Sequence, residues 1–188
     1  MSDQDRYIPG VPCWVDINCP DPEAAVAFYG GLFGWEFEDV TPPGAPFRYL
    51  LASLPGGAVA GVASQPDGTH RAVAWDTYVW VADADETAGR VRAAGGSVPE
   101  RFEDVVASVA QSADDTPPHW GVTFGVDDAD AIAARATQLG GRVLADPFDA
   151  PWVRMTVIAD PQGATFIASK FTPENKDMAE SGKATGST

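Results

Sequence analysis

The chain has 188 residues, and its 45% hydrophobic content is ordinary for a globular protein of one or two domains. It carries 27 acidic and 12 basic residues, which give a net charge of −15. A surface this acidic repels phosphate backbones and anionic lipid, so nucleic acid and membrane partners are not expected.

Two cysteines, Cys13 and Cys19, lie on the first predicted strand. Six strand residues separate them by about 20 Å, which is too far for a disulfide. Reduced cysteines are typical of cytoplasmic proteins. The first twenty residues show no signal peptide, and no apolar run approaches transmembrane length. We therefore expect a cytoplasmic protein.

Both ends of the chain are polar and lack hydrophobic periodicity, so residues 1–9 and 172–188 are predicted to be disordered. The first helix follows the strand PCWVDIN. Asp21 is its predicted N-cap, Pro22 occupies the first helical position and Gly34 ends it. WEFEDV, FRYLLASL and GAVAGVASQ are then predicted to be strands, which completes a β-α-β-β-β module.

An internal repeat follows, in which residues 75–98 align with residues 120–143. Trp75 and Trp120 are 45 residues apart, as are Asp83 and Asp128. Each copy is a strand, a capped helix, a glycine pair and a further strand. The predicted organisation is a first βαβββ module over 10–66, a partial module over 75–105, and a final module with its preceding strand over 106–171.

The first strand of each copy alternates between two kinds of side chain. One set is aliphatic and faces the helix; the other mixes aromatic, polar and glycine residues. Alternation places the two sets on opposite faces of the sheet. Aromatic rings with a few polar groups are typical of a concave ligand site, although an aromatic interface between subunits would show the same pattern. The mixed sets are Trp14, Asp16 and Asn18; Asp76, Tyr78 and Trp80; and Gly121, Thr123 and Gly125.

The segments PCWVDINC, DPEAAVAFYGGLFGWEFED, WDTYVWVADADETAGRVRAAGG, HWGVTFGVDDADAIAARATQLGGRV and DPQGATFIASKF together resemble the vicinal-oxygen-chelate superfamily, the glyoxalase and bleomycin-resistance group. The resemblance covers about residues 10–171. It implies an α+β fold of repeated βαβββ modules that form an open, cup-shaped mixed sheet with helices on its convex face. The concave face would hold the ligand.

Many members of this superfamily bind a divalent metal through a histidine on the first strand of a module and a glutamate on its last. Carried over, these positions fall on Trp14, Asp76, Gly121 and Ile167. Asp76 is the one weak candidate ligand among them, whereas a divalent site needs three or more converging ligands. The resemblance therefore implies that the usual metal site is absent, and no cofactor is expected.

The resemblance also implies a departure in architecture. Relatives with this kind of sequence look like four modules that form two cups, whereas this chain has two complete modules with a partial one between them. We infer an internal loss between homologous repeats. Either residues 11–65 pair with residues 119–171 into one cup, or two chains complete each other as a homodimer.

The first functional hypothesis is a metal-independent protein that binds an aromatic or cationic small molecule, in the manner of antibiotic-sequestering members. Aromatic rings would stack on the ligand and the carboxylates and amide would orient it. The candidate ligand-binding residues are Trp14, Asn18, Tyr78, Trp80, Trp120, Thr123 and Arg154, the last of which could meet a ligand carboxylate.

Two alternatives stay open. One is an enzyme of secondary metabolism, an isomerase, lyase, hydrolase or oxygenase, with Asp16 or Asp76 as general base. A metal-dependent version would need an unusual site built from Asp76, Asp16 and His119; both His119 and His70 fit surface or capping roles better. The other is a truncated, non-catalytic assembly partner whose aromatic face is an interface.

Overall fold

The computed structural model describes residues 8–65, 72–96 and 121–176, so His70, His119 and Trp120 lie outside the described residues. The first and last modules each show the predicted order of one strand, one helix and three strands. In chain order the elements are β1 (Pro12–Cys19), α1 (Pro22–Phe33), β2 (Glu36–Asp39), β3 (Tyr49–Leu54), β4 (Gly57–Ser64), β5 (Ala74–Val79), α2 (Ala84–Ala93), β6 (Thr123–Gly125), α3 (Ala129–Gln138), β7 (Arg142–Ala150), β8 (Val153–Ala159) and β9 (Thr165–Phe171).

The strands form two sheets, of order β2-β3-β4-β1-β5 and β6-β9-β8-β7. Strand β6 runs parallel to β9, whereas β7-β8 and β8-β9 are antiparallel. In each sheet the last strand of a βαβββ run lies beside its first strand, because the helix carries the chain across to the far edge. The predicted α+β class with mixed sheets is confirmed.

Helix α1 begins and ends where the sequence predicts. The Asp21 carboxylate accepts a hydrogen bond from the backbone N–H of Ala24, and Pro22 is the first helical residue. Gly34 ends the helix with a φ of +70°, a left-handed conformation that glycine adopts without a steric penalty. The apolar stripe of the helix is buried, and its members include Ala25, Phe28, Tyr29 and Leu32.

The chain divides into two compact units, one made of residues 1–16 and 76–120 and the other of residues 17–75 and 121–188. The larger unit contains residues of both complete modules. Its core is aromatic, and the rings of Tyr29 and Trp75 meet edge to face with centroids 5.2 Å apart. Phe124 and Phe166 join the same cluster, 5.7 Å apart. Such pairs add specific geometry to the apolar area that the core buries.

Contacts of helix α1 with the end of helix α3 and with the DPQG turn join the first and last modules inside the larger unit. A Cβ on Gly31 of α1 would lie 3.1 Å from the Leu139 side chain, and the Arg135 side chain donates to the Gly31 carbonyl over 3.1 Å. The Gln162 amide makes two hydrogen bonds with the Asp21 backbone, one to its carbonyl and one from its N–H. The Gln162 side chain therefore fastens the DPQG turn to the start of α1.

The two repeat-related helices differ in burial. Ala129, Ala133 and Ala136 of α3 are buried, and the 45-residue offset places Ala84, Ala88 and Val91 at the equivalent positions of α2. None of the ten residues of α2 is buried. The partial module therefore keeps the capped helix of the repeat, with Asp83 accepting from the Glu86 N–H, but not its buried stripe.

The segment predicted to be a disordered tail starts with a short 3-10 helix, Pro173–Asn175. The Asn175 side chain donates to Asp149 Oδ1 over 3.0 Å and to the Val153 carbonyl over 3.3 Å. Residues 177–188 and 1–7 lie outside the described residues. Within the described ranges, no helix has both the length and the apolar character needed to cross a bilayer.

Candidate functional site

Strand β1 separates its side chains between two faces as its alternation predicts. Ile17 and Cys19 point into the core and are fully buried. The neighbouring residue Asp16 is only 4% exposed, and Trp14 and Asn18 are half-buried on the same face as Asp16. A nearly buried carboxylate is costly unless polar partners satisfy it.

Tyr78 of β5 supplies such a partner within the smaller unit. Its hydroxyl donates a hydrogen bond to Asp16 Oδ2 over 2.8 Å. The backbone of Trp80 bonds with the start of β1, since its N–H donates to Val11 O and its carbonyl accepts from the Gly10 N–H. Strand pairing thus brings the mixed faces of the two first strands together, although they are 62 residues apart in sequence at this contact.

Among the described residues, the smaller unit contains five of the predicted site residues. Trp14, Asp76, Tyr78 and Trp80 are half-buried, and Asp16 is buried. The set combines one carboxylate shielded from water, a phenol that hydrogen-bonds to it, and two indole rings. Rings can stack on a ligand while the polar pair fixes its orientation, and a shielded carboxylate can also accept a proton.

The predicted residues Asn18, Thr123 and Arg154 belong to the larger unit. Thr123 and Arg154 lie on opposite faces of the four-stranded sheet. Thr123 is paired with Ile167, which is paired with Val157. Paired residues share a face, so these three side chains lie on the face away from α3. Arg154 is three residues before Val157 and lies on the α3 side. Thr123 and Arg154 are therefore not brought together, because an odd separation along a strand reverses the face.

Arg154 is engaged by carboxylates of the protein. Its guanidinium donates two hydrogen bonds to Asp130 on α3, at 2.6 and 2.7 Å, and lies 3.3 Å from Asp149. These hydrogen bonds raise the pKa of Arg154 above its ordinary value and lower that of Asp130. The ion pairs connect strand β8 to helix α3, and the suggested role of Arg154 in meeting a ligand carboxylate stays a prediction.

The open face of the four-stranded sheet contains residues that the sequence argument did not single out as ligand contacts. Met155 is paired with both Phe148 and Ser169, and Phe171 lies at the end of the same face. Trp152 precedes β8 with a φ of +70°, a strained conformation for a bulky residue, and its ring is parallel to that of Phe171. The alternation of ATFIASKF would have identified Ser169 and Phe171; nothing in the sequence marks the Trp152 backbone.

Two buried titratable groups in the larger unit have structural partners. The Tyr29 hydroxyl donates to Asp160 Oδ2 over 3.0 Å and accepts from Trp75 Nε1 over 3.1 Å. Burial, with Asp160 nearby, raises the pKa of Tyr29 well above its ordinary value. Burial likewise raises the pKa of the Cys19 thiol to about 11, so this cysteine is a protonated core residue at neutral pH.

The residues at the superfamily's metal positions do not fit a divalent ion. Trp14 and Ile167 carry no ligand atom, Gly121 has no side chain, and Asp76 alone supplies an oxygen. Within residues 8–65, 72–96 and 121–176, no group of three or more His, Cys, Asp or Glu side chains is placed to hold a metal. These positions therefore do not supply the three or more ligands that a divalent metal site needs.

The family model of the Glyoxalase/Bleomycin resistance protein/Dioxygenase superfamily matches residues 13–167, and the chain belongs to this superfamily. A glyoxalase I variant from Zea mays has the same fold, with 13% sequence identity and a TM-score of 0.50 over 89% of this chain and 48% of that one.

Two curated relatives extend over nearly the whole chain. CFP32 of Mycobacterium tuberculosis is 29% identical over 260 residues, which span 93% of this chain and all of that protein. The aligned part of this chain is about 175 residues (93% of 188), so about 85 of the 260 aligned positions have no residue of this chain, and the difference in length lies inside the aligned region. The anthracycline biosynthesis protein DnrV of Streptomyces peucetius is 32% identical over 184 residues, which cover 96% of this chain and 52% of DnrV.

Proposed function

We propose that this protein binds an aromatic or cationic small molecule without the metal of its superfamily. The observation that carries the proposal is the Asp16–Tyr78 hydrogen bond, a shielded carboxylate and phenol on a sheet face that also presents Trp14 and Trp80. Plain solvent exposure would not favour two indoles there, and a closed apolar core would exclude the carboxylate.

The net charge of the chain and its similarity to a named relative indicate which class of ligand to expect. The net charge of −15 favours a cationic or hydrogen-bond-donating ligand over an anion. A relative with 32% identity is named for anthracycline biosynthesis, which supports an aromatic natural product as the ligand. An anthracycline and other basic aromatic antibiotics are therefore the first compounds to test.

Titration of intrinsic tryptophan fluorescence tests the proposal, because Trp14 and Trp80 would change environment when a ligand stacks on them. We expect saturable quenching by at least one basic aromatic compound and none by anionic analogues of the same ring system. Tyr78→Phe removes the hydroxyl that bonds to Asp16 and should weaken binding about tenfold, the range of a charge-assisted hydrogen bond.

Tyr29→Phe is the matched control, because it removes a tyrosine hydroxyl from the core of the larger unit. It should lower stability and leave ligand affinity unchanged. Flat fluorescence traces across a broad panel, or equal effects of Tyr29→Phe and Tyr78→Phe on affinity, would contradict a binding role for this face.

The burial of Asp16 favours one second candidate, an enzyme of secondary metabolism that uses this carboxylate as general base. Asp16→Asn keeps the size of the side chain and removes its basicity. Under the enzyme hypothesis this variant loses turnover and keeps ligand binding. Under the binding hypothesis it changes affinity, and neither form converts the ligand.

A further inference from the structure

A surface cavity of about 370 Å³ lies where the start of α1 passes over the edge strand β2. It belongs to the larger unit and opens on the helix side of the sheet. Phe37 is paired with the buried Ala52, and Asp39 with the buried Leu50, so β2 turns these two side chains toward α1. All residues that line the cavity belong to the larger unit, and Asp16 and Tyr78 are not among them.

The floor of the cavity is apolar. Val26 and Ala27 come from α1, Phe37 from β2 and Leu50 from β3. These positions are not the core stripe of α1, which is formed by Ala25, Phe28, Tyr29 and Leu32. The volume is near the lower end for small-molecule sites, roughly 300–1,000 Å³, and suits a ligand with about one ring.

Three charged side chains form the rim of the cavity. Arg48 contacts Glu23 on one side and lies 3.0 Å from Asp39 on the other, so it bridges α1 and β2. All three are about half exposed or more. Two carboxylates against one guanidinium leave the rim with a net charge of −1. Hydrogen bonds from Thr41 hold the pKa of Asp39 below its ordinary value, which keeps this charge in place.

Arg48 donates two hydrogen bonds to Asp39 Oδ2, over 3.0 and 3.3 Å, and also contacts Glu23, but all three side chains are exposed, so water competes for each contact. The Arg48 head can therefore leave the rim at small cost and become hydrated. A second cation could then take its place between Glu23 and Asp39. An apolar body attached to that cation would cover the floor, which water otherwise contacts.

We propose that this cavity is a second site, for an organic monocation with one aromatic ring, in which Glu23 and Asp39 hold the cationic group and Arg48 is its internal competitor. The proposal is independent of the function proposed above, since the two use different residues of different units. Either can fail without the other.

The probe for this site is 2-phenylethylammonium, compared with 2-phenylethanol and 3-phenylpropionate, which have similar rings and charges of zero and −1. Amide resonances of Val26, Ala27, Phe37 and Leu50, followed in ¹⁵N spectra, report binding. We expect these resonances to shift with the ammonium probe and the affinity to be roughly fivefold weaker for the alcohol. The carboxylate should not bind.

Two variants separate the proposal from a passive surface cleft. Arg48→Gln removes the competitor and should tighten ammonium binding about three- to fivefold, and Ala27→Leu should fill the cavity and abolish binding. Ala134→Leu, at an exposed position of α3, is the control for added surface hydrophobicity. The proposal is overturned if the resonances stay fixed at millimolar probe, if the alcohol or carboxylate binds as well, or if Arg48→Gln weakens binding.

Discussion

The buried hydroxyl of Tyr29 offers the sharpest test of how the larger unit is held together. Tyr29 lies on α1 of the first module, and Asp160 lies in the turn before β9 of the last. Tyr29 is fully buried, and its hydroxyl connects Asp160 with the indole N–H of Trp75. Tyr29→Phe keeps the ring and removes this connection.

The structure sets the size of the effect. Asp160 keeps two backbone donors, the N–H groups of Gln162 and Ala164, so its carboxylate loses one of three hydrogen bonds. The Trp75 indole N–H loses its Tyr29 acceptor, and because Trp75 is only 5% exposed, water cannot readily replace that acceptor. Loss of a charge-assisted bond and of this buried acceptor should together lower the free energy of unfolding by about 3 kcal/mol.

Urea denaturation of the wild type, Tyr29→Phe, Asp160→Asn and the double variant measures this effect and the coupling between the two residues. We expect a coupling of about 1 kcal/mol or more, because the residues are in direct contact. A loss below about 1 kcal/mol for Tyr29→Phe, or effects of the two substitutions that simply add, would refute the reasoning.

Three further predictions concern the same unit. Gly141→Ala should lower the free energy of unfolding by about 1–3 kcal/mol, because the added Cβ would lie 2.9 Å from the Phe28 ring and 3.0 Å from a backbone carbonyl. Gly121→Ala is the control: this position has room for a Cβ, so thermal melting should show almost no change in stability. Folding raises the pKa of Cys19 from 9.0 to about 11, so between these pH values the thiol ionises in the unfolded chain before it does so in the folded protein. The free energy of unfolding should therefore fall by about 2–3 kcal/mol between pH 9 and pH 11, and Cys19→Ala should remove that part of the decline. Asp128→Ala should cost about 1 kcal/mol as a lost N-cap, measured by urea denaturation.

Local structure was predictable because its causes are local. Asp21, Pro22 and Gly34 define the bounds of α1 through hydrogen bonds and backbone angles that depend on a few neighbouring residues. The alternation along PCWVDINC assigned Asp16 and Ile17 to opposite faces for the same reason, since the strand period is two.

Contacts between distant segments were not predictable in the same way. Alternation placed Tyr78 and Asp16 on matching faces, but only the pairing of their strands brings the two side chains within 2.8 Å. Arg154 looked available for a ligand because Asp130, its partner, comes from another element. The strained Trp152 backbone depends on a turn whose conformation residue types alone do not specify.

The 45-residue repeat predicts helix positions correctly but does not predict helix burial. Its fixed offset correctly identified two capped helices, α2 and α3, with aspartates at both N-caps. The same offset aligns Ala84, Ala88 and Val91 of α2 with Ala129, Ala133 and Ala136 of α3, and these three are buried in α3, whereas no residue of α2 is buried. Whether a helix is buried depends on the strands that it packs against, which the helix sequence alone does not specify, and about 85 aligned residues of CFP32 have no counterpart in this chain.

Binding of a small molecule beside the Asp16–Tyr78 pair is the central claim, and tyrosine-selective NMR tests it most directly. Protein labelled with ¹³C at the tyrosine ring would be titrated with the basic aromatic panel. The account predicts that the Tyr78 resonance shifts with saturation while that of Tyr29, buried in the core, stays fixed. A compound that binds and leaves the Tyr78 resonance unmoved would contradict it.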